Sequence, residues 1–208
     1  GWSAIGYYYY DTNYISDNDG GGVVLNNCSY VTVARDQIGT NLAGTAVLGT
    51  QPEGVVLAAG THDCAIGSDY SSGRNVISGH ISNGIRVDAS NDNVIYNNYV
   101  GINAAGTAAL PNGHLGILLY GSDGNDVGGA GIGNVVSGNA DDAIFLQNGS
   151  DNNVVAGNYV GTSADGLSAV PNAHEGITCA SGSSNNLIGG STAAERNVVA
   201  ANGGEGIH

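Results

Sequence analysis

Short apolar pieces of three to five residues recur along the whole chain, separated by Gly, Asn, Ser and Asp. Pieces of that length with β-branched residues read as strands, and no stretch of eleven residues carries a helical period. One piece repeats visibly. Gly22-Val23-Val24-Leu25 returns as Gly54-Val55-Val56-Leu57, Gly84-Ile85-Arg86-Val87 and Gly116-Ile117-Leu118-Leu119. It returns again as Ala143-Ile144-Phe145-Leu146, Gly176-Ile177-Thr178-Cys179 and Gly206-Ile207, at steps of 32, 30, 32, 27, 33 and 30 residues. A fixed period of this size is the signature of a solenoid. Three strands and three turns per repeat make one coil of a parallel β-helix. Stacked at the interstrand spacing of about 4.8 Å, about seven coils give a rod of roughly 30 Å.

The repeats alternate in type. One type carries Asn98-Tyr99-Val100-Gly101 and Gly106-Thr107 up to Pro111-Asn112, matched by Asn158-Tyr159-Val160-Gly161 up to Pro171-Asn172. The other carries Arg74-Asn75-Val76-Ile77-Ser78-Gly79, matched by Asn134 to Asn139 and by Arg196-Asn197-Val198-Val199. Asn93, Asn125, Asn153 and Asn186 fall at nearly equal offsets in successive repeats. At one corner of a coil, amides so placed can hydrogen-bond up and down a column, which predicts a structural asparagine ladder.

The strings Asn-Val-Ile-Ser-Gly-Asn, Gly-Asn-Tyr-Val-Gly-Thr and Asn-Asn-x-Ile-Gly-Gly resemble the right-handed parallel β-helix repeats of large secreted or surface proteins, of the pectate-lyase-like superfold. The resemblance covers essentially the whole chain. It implies an all-β, right-handed parallel β-helix of about seven coils, with three short strands per coil, forming one domain over residues 1–208. It also implies an extracellular or cell-surface location. That superfold carries lyases, hydrolases, epimerases, adhesins and filament subunits, so activity has to be argued from a site.

Both ends of the sequence fall inside a coil, with no separate capping domain. Uncapped coil ends expose apolar core and unpaired backbone, so two readings stand: a stretch of a longer protein, or rods stacking head to tail by heterologous contact. Ile207 and the run Tyr7, Tyr8, Tyr9, Tyr10 are candidate interface residues at the ends.

Charge narrows the partners. Four arginines and no lysine face eighteen acids, for a formal charge of −14, which argues against nucleic acid and anionic membranes. No apolar run approaches the ~20 residues of a membrane helix, so membrane insertion is not expected. Among the three cysteines, Cys179 replaces an inward Leu or Val, while Cys28 and Cys64 lie on successive repeats, where a disulfide is one option. The sequons at Asn27 and Asn148 are of the kind chance supplies in so Asn- and Ser-rich a chain.

Candidate catalytic groups are sparse. Asp141-Asp142 resembles the Asp-Asp element of polygalacturonases, but the Asn-Thr-Asp, Gly-His-Gly and Arg-Ile-Lys elements are missing, as is the Asp-Pro-His-Glu signature of alginate epimerases. Pectate-lyase chemistry would need Arg35, Arg74, Arg86 or Arg196 as its base. Arg74 and Arg196 share a phase that suggests a structural role, and Arg86 can pair with Asp88, two residues along the same face. His114 and His174 share a phase two coils apart, roughly 10 Å, too far to share one metal ion.

The residue before each Gly-Ile strand is Glu53, Asn83, Leu115, Asp142, Glu175 and Glu205. Asp142, Glu175 and Glu205 would stack about 5 Å apart, and calcium, which takes carboxylate oxygens, would relieve their repulsion. No cofactor is required. The outward column Val24, Val56, Leu118 and Phe145 forms an apolar stripe of the kind that marks a covered surface; the loops Thr107–Asn112 and Thr162–Asn172, a neighbouring rod or a ligand could cover it. The sequence therefore favours a non-enzymatic, surface-located or filament-forming β-solenoid, self-associating end to end. The alternative is a carbohydrate-binding or polysaccharide-active (lyase or hydrolase) β-helix module.

Overall fold

The computed structural model describes residues 3–5 and 12–208; the candidate interface residues Tyr7 to Tyr10 lie outside the described residues. Its strands stack into three parallel sheets that wrap one core, a right-handed parallel β-helix. Sheet 1 runs through Ser3–Ile5, Val31–Val33, Ala65–Gly67, Val94–Tyr96, Asp126–Gly128, Val154–Ala156 and Leu187–Ile188. Sheet 2 runs through Tyr14–Ile15, Gln37–Ile38, Val76–Ile77, Tyr99–Val100, Val135–Val136, Tyr159–Val160 and Val198–Val199. Sheet 3 runs through Val23–Asn26, Val55–Ala58, Ile85–Asp88, Ile117–Tyr120, Ile144–Gln147 and Ile177–Cys179. No helix among the described residues is long and apolar enough to cross a membrane.

Register makes the core. Ile85, Ile117, Ile144 and Ile177 are successive parallel partners, and Val87, Leu119 and Leu146 form the next inward row. Ile66, Ile95, Val127 and Val155 fill it from sheet 1, and Ile77, Val100, Val136 and Val160 from sheet 2. All of these are fully buried, and each such side chain stabilises by roughly 1.5–3 kcal/mol. A strand has period two, so a one-residue slip would turn this whole set outward. Cys28, Cys64 and Cys179 are free thiols, Cys64 inside this core and the other two packed against it. The Cys28–Cys64 disulfide is therefore absent: the Cys64 thiol instead lies 3.3 Å from the His62 carbonyl oxygen.

Three corners turn the chain, and asparagine columns line all three. In the first, Asn93, Asn125, Asn153 and Asn186 stack. The Oδ1 of Asn125 accepts both the backbone N–H of Asn93 at 2.9 Å and its amide at 3.0 Å, and the Oδ1 of Asn153 does the same for Asn125. In the second, Asn75, Asn98, Asn134, Asn158 and Asn197 repeat the pattern. In the third, Asn112, Asn139, Asn172 and Asn202 do so. The spare amide hydrogens go to carbonyls of an earlier coil, as in Asn134 to Ile95 at 2.8 Å.

Two titratable residues occupy ladder positions. Asp36 stands in the second column between Asn13 and Asn75: its backbone N–H donates to Asn75 Oδ1 at 2.9 Å, and its own Oδ1 accepts the Asn13 amide at 2.8 Å. His80 heads the third, donating its backbone N–H to Asn112 Oδ1. Its two ring nitrogens are buried without a partner.

Three loops project from alternate coils, closed by antiparallel bridges at Thr40–Val47, Ile102–Ala109 and Thr162–Ala169. They rest on each other through Ala104 N–H to Gly44 O and Ala164 N–H to Gly106 O, both 2.9 Å. Ile102 and Val170 from these loops pack with Val76, Tyr99 and Val135 on the outside of sheet 2. The loops thus cover sheet 2 and leave the Val24–Phe145 stripe of sheet 3 uncovered by them. On that stripe Val24 is 54% exposed, while Leu118, between Arg86 and Phe145 in register, is 8% exposed.

Asn125→Ala leaves buried donors on Asn93 and a buried carbonyl without partners. At about 1–3 kcal/mol per orphaned group, urea denaturation should show a loss of roughly 3 kcal/mol; a loss below about 0.5 kcal/mol would mean that water fills the corner.

The titratable ladder members pull in opposite directions. Burial lowers His80 from 6.5 to about 4, so the fold loses stability as pH falls from about 6.5 towards 4. Burial raises Asp36 from 3.8 to about 6, so the fold gains stability as pH falls from about 6 towards 3.8. Relative to the parent protein, His80→Asn should gain stability between pH 6 and pH 4, and Asp36→Asn should lose it; parallel pH–stability curves for all three would refute this assignment.

Candidate functional site

Two surfaces concentrate chemistry. The first is a groove of about 320 Å³ on the sheet 2 side. It is lined by Arg74, Tyr99, Gly133, Gly157, Tyr159 and Arg196. The sequence builds it from one column, the residue before each second-corner asparagine: Arg74, Asn97, Gly133, Gly157, Arg196. The middle of this column has no room for a side chain. A Cβ on Gly133 would lie 1.7 Å from the Gly157 carbonyl oxygen, and Gly157 sits at φ +73°. The two coils that carry Gly133 and Gly157 therefore form a floor of bare backbone, with tyrosines from the outward positions of sheet 2 beside it.

Arg74 is held in place. Its guanidinium lies 4.1 Å over the Tyr99 ring, and Nη2 donates to Asn97 Oδ1 at 3.1 Å. The Asn97 amide is itself tied to the Ser68 and Tyr70 carbonyls, and the buried Nε of Arg74 has no partner. Among the described residues, neither Arg74 nor Arg196 makes an ion pair; Arg86 alone of the arginines does. Arg74 and Arg196 lie four coils apart, roughly 19 Å. Their shared phase thus marks the two ends of a groove, where the sequence suggested only a structural role.

The second surface is the edge where the chain enters sheet 3, and most of the sequence-derived candidates lie on or beside it. Arg86 pairs with Asp88 and lies 3.8 Å from Glu53. That pairing with Asp88 holds Arg86 above its ordinary value. Glu53 accepts from the backbone and amide of Asn83, and burial pushes its carboxyl up. Asn83 Oδ1 also accepts from Leu115 N–H and meets His114 Nδ1 at 3.1 Å.

His114 and His174 do not meet each other, but Asp141 stands in the coil between them. Its Oδ2 is 2.9 Å from His114 Nε2 and its Oδ1 is 3.2 Å from His174 Nδ1. Asp142 is 5% exposed. Its Oδ1 accepts the Glu175 backbone N–H at 3.1 Å, and its Oδ2 accepts the Thr178 hydroxyl at 2.7 Å. Glu175 is pushed above the usual glutamate range, first by a carboxyl–carboxylate hydrogen bond with Asp142, with Glu205 adding to it. The carboxylates proposed from sequence to hold calcium are therefore crowded at Asp142 and Glu175. Glu205 is exposed and 3.8 Å from His208 Nδ1. Among the described residues, the ligand atoms that come together are a different group: Asp141, Asp142 and His174, all within 4.8 Å of one another.

Sequence reasoning missed the groove and the bridging role of Asp141. The second was available, because His114, Asp141 and His174 all stand two positions before the Gly or Ala that opens the sheet 3 strand.

No family model matches this chain, and no curated protein matches it in sequence. Among solved structures, the A-module of the mannuronan C-5 epimerase AlgE4 of Azotobacter vinelandii is similar, with a TM-score of 0.50 and 16% identity. The match covers 91% of this chain and 58% of that one, so this chain spans less than two thirds of the module's length. At that identity the likeness is one of fold.

Asp142→Asn removes the acceptor charge that raises Glu175. Carboxyl-carbon NMR titration should then show Glu175 moving down towards the ordinary glutamate value; an unchanged midpoint would place the cause elsewhere.

Proposed function

We propose that this protein is an extracellular β-helix that binds an acidic polysaccharide along the groove between Arg74 and Arg196. The observation that carries the reading is a pair of arginines without carboxylate partners in a chain of net charge −14 with eighteen acids. Guanidinium groups recognise carboxylates through paired hydrogen bonds. Tyr159, half-buried at the groove, offers an aromatic ring with a polar tip to a sugar chain, while Tyr99 is buried and serves to seat Arg74. The volume falls in the range of ligand sites, roughly 300–1,000 Å³. A groove running along the rod suits a polymer, whose acidic units would meet the arginines several sugars apart.

The global negative charge opposes an anionic polymer at long range. Beyond about 8 Å that repulsion is screened at physiological ionic strength, so contacts inside the groove decide affinity. The fold neighbour is named for action on mannuronan, itself a carbohydrate, which is compatible with a polysaccharide ligand here.

The test is calorimetric titration with uronate-containing oligosaccharides beside neutral ones of equal length. Binding should be selective for the uronates, and Arg196→Gln should weaken it at least tenfold, the scale of one charge-assisted hydrogen bond. Equal affinity for the neutral series, or indifference to Arg196→Gln, would sink the proposal.

A further inference from the structure

The Asp142 carboxylate is nearly inaccessible to solvent, and its partners are one backbone N–H, one hydroxyl and the Glu175 carboxyl. No cationic side chain touches it. A buried carboxylate without a countercharge is costly. Beside it stand Asp141 and Glu175, with Glu205 next to Glu175, and the nearest arginine along the sheet, Arg86, is already engaged by Asp88 and Glu53. The corner therefore has an excess of negative charge that the chain does not neutralise.

The donor set says which cation fits. Asp141, Asp142 and His174 each offer one ligand atom, all within 4.8 Å of one another. Calcium binds through oxygen ligands. An imidazole nitrogen beside two carboxylates suits a first-row transition dication. The ligands are also oriented from outside. His114 holds one oxygen of Asp141, and the Thr178 hydroxyl holds one oxygen of Asp142, the kind of outer contact that fixes ligand geometry. His174 approaches from the open side, its side chain 63% exposed, which leaves a route for an ion and open positions for water.

We propose that Asp141, Asp142 and His174 form a binding site for a first-row transition dication of the zinc or manganese type, at the edge of sheet 3. The site differs from the all-carboxylate calcium site expected from sequence at Asp142, Glu175 and Glu205: it shares Asp142, takes in the neighbouring Asp141, and brings in His174 from the next coil. It lies on a different face from the Arg74–Arg196 groove and does not rest on the glycan reading.

The experiment strips the protein with chelator and titrates Zn²⁺ and Mn²⁺ at pH 7.5 against a chromophoric competitor. One equivalent should bind. His174→Ala, a change at an exposed side chain that leaves the core intact, should weaken binding at least tenfold with an unchanged circular dichroism spectrum. His62→Ala, which removes an exposed imidazole paired with Asp63 away from this corner, should leave affinity as it was. Calcium at millimolar concentration should fail to displace the bound ion. Failure to bind either metal, equal binding by His174→Ala, or displacement by calcium would each overturn the assignment. Glycan titration of the metal-free protein reports on the groove separately, so the two proposals fail independently.

Discussion

Every coil of this molecule must turn three times, and each turn brings polar backbone to the margin of a dry core. The side-chain amide of asparagine is what makes that tolerable. One oxygen takes two donors from the coil before, and one NH2 group serves the coil after and a carbonyl behind. A buried amide with all its hydrogen-bonding capacity used costs little, whereas the same group half-used would cost about 1–3 kcal/mol per orphan. Three continuous columns of this kind fix the coil spacing, and the spacing sets the register of the aliphatic rows inside. The hydrophobic core supplies most of the stabilisation, but the columns determine which stacking the chain adopts.

From that frame the two chemical surfaces follow. Because side chains alternate in and out of each strand, a residue type at one phase makes a row along the rod. Sheet 2 is short-stranded, and its outward row of Val76, Tyr99, Val135, Tyr159 and Val198 is partly roofed by loops from alternate coils. Where the corner residues shrink to glycine, the roof and the arginine-bearing turns leave a trench. Sheet 3 has longer strands, and its entering edge gathers carboxylates and imidazoles from successive coils. A parallel stack places like positions close together, so charges of one sign accumulate there unless another coil interposes a different residue. Asp141, between His114 and His174, is such an interposition.

Much of this was legible in the chain. Strand positions, the stacking period, one ladder and the Arg86–Asp88 pair follow from spacing alone, because each depends on residues a fixed number of positions apart. The second ladder was less visible, because its members sit at uneven offsets of 23 to 39 residues, stretched by the loops of alternate coils. The third was overlooked although its offsets of 27 to 33 residues are as even as those of the first. The groove was not legible at all: it arises from what Gly133 and Gly157 lack, and an absent side chain gives no pattern. Of the three covers that the sequence leaves open for the Val24–Phe145 stripe, the loops are not the one: they fold over sheet 2, because Ile102 and Val170 find their apolar partners there.

The ladder geometry has an evolutionary corollary. A coil flanked by asparagines presents the same donors and acceptors above and below, so a whole coil can be duplicated or deleted in the gene without creating a mismatched seam. Distances along the rod then change only in units of one coil. Arg74 and Arg196 are separated by such units, so the distance between them along the rod is set by copy number rather than by substitution.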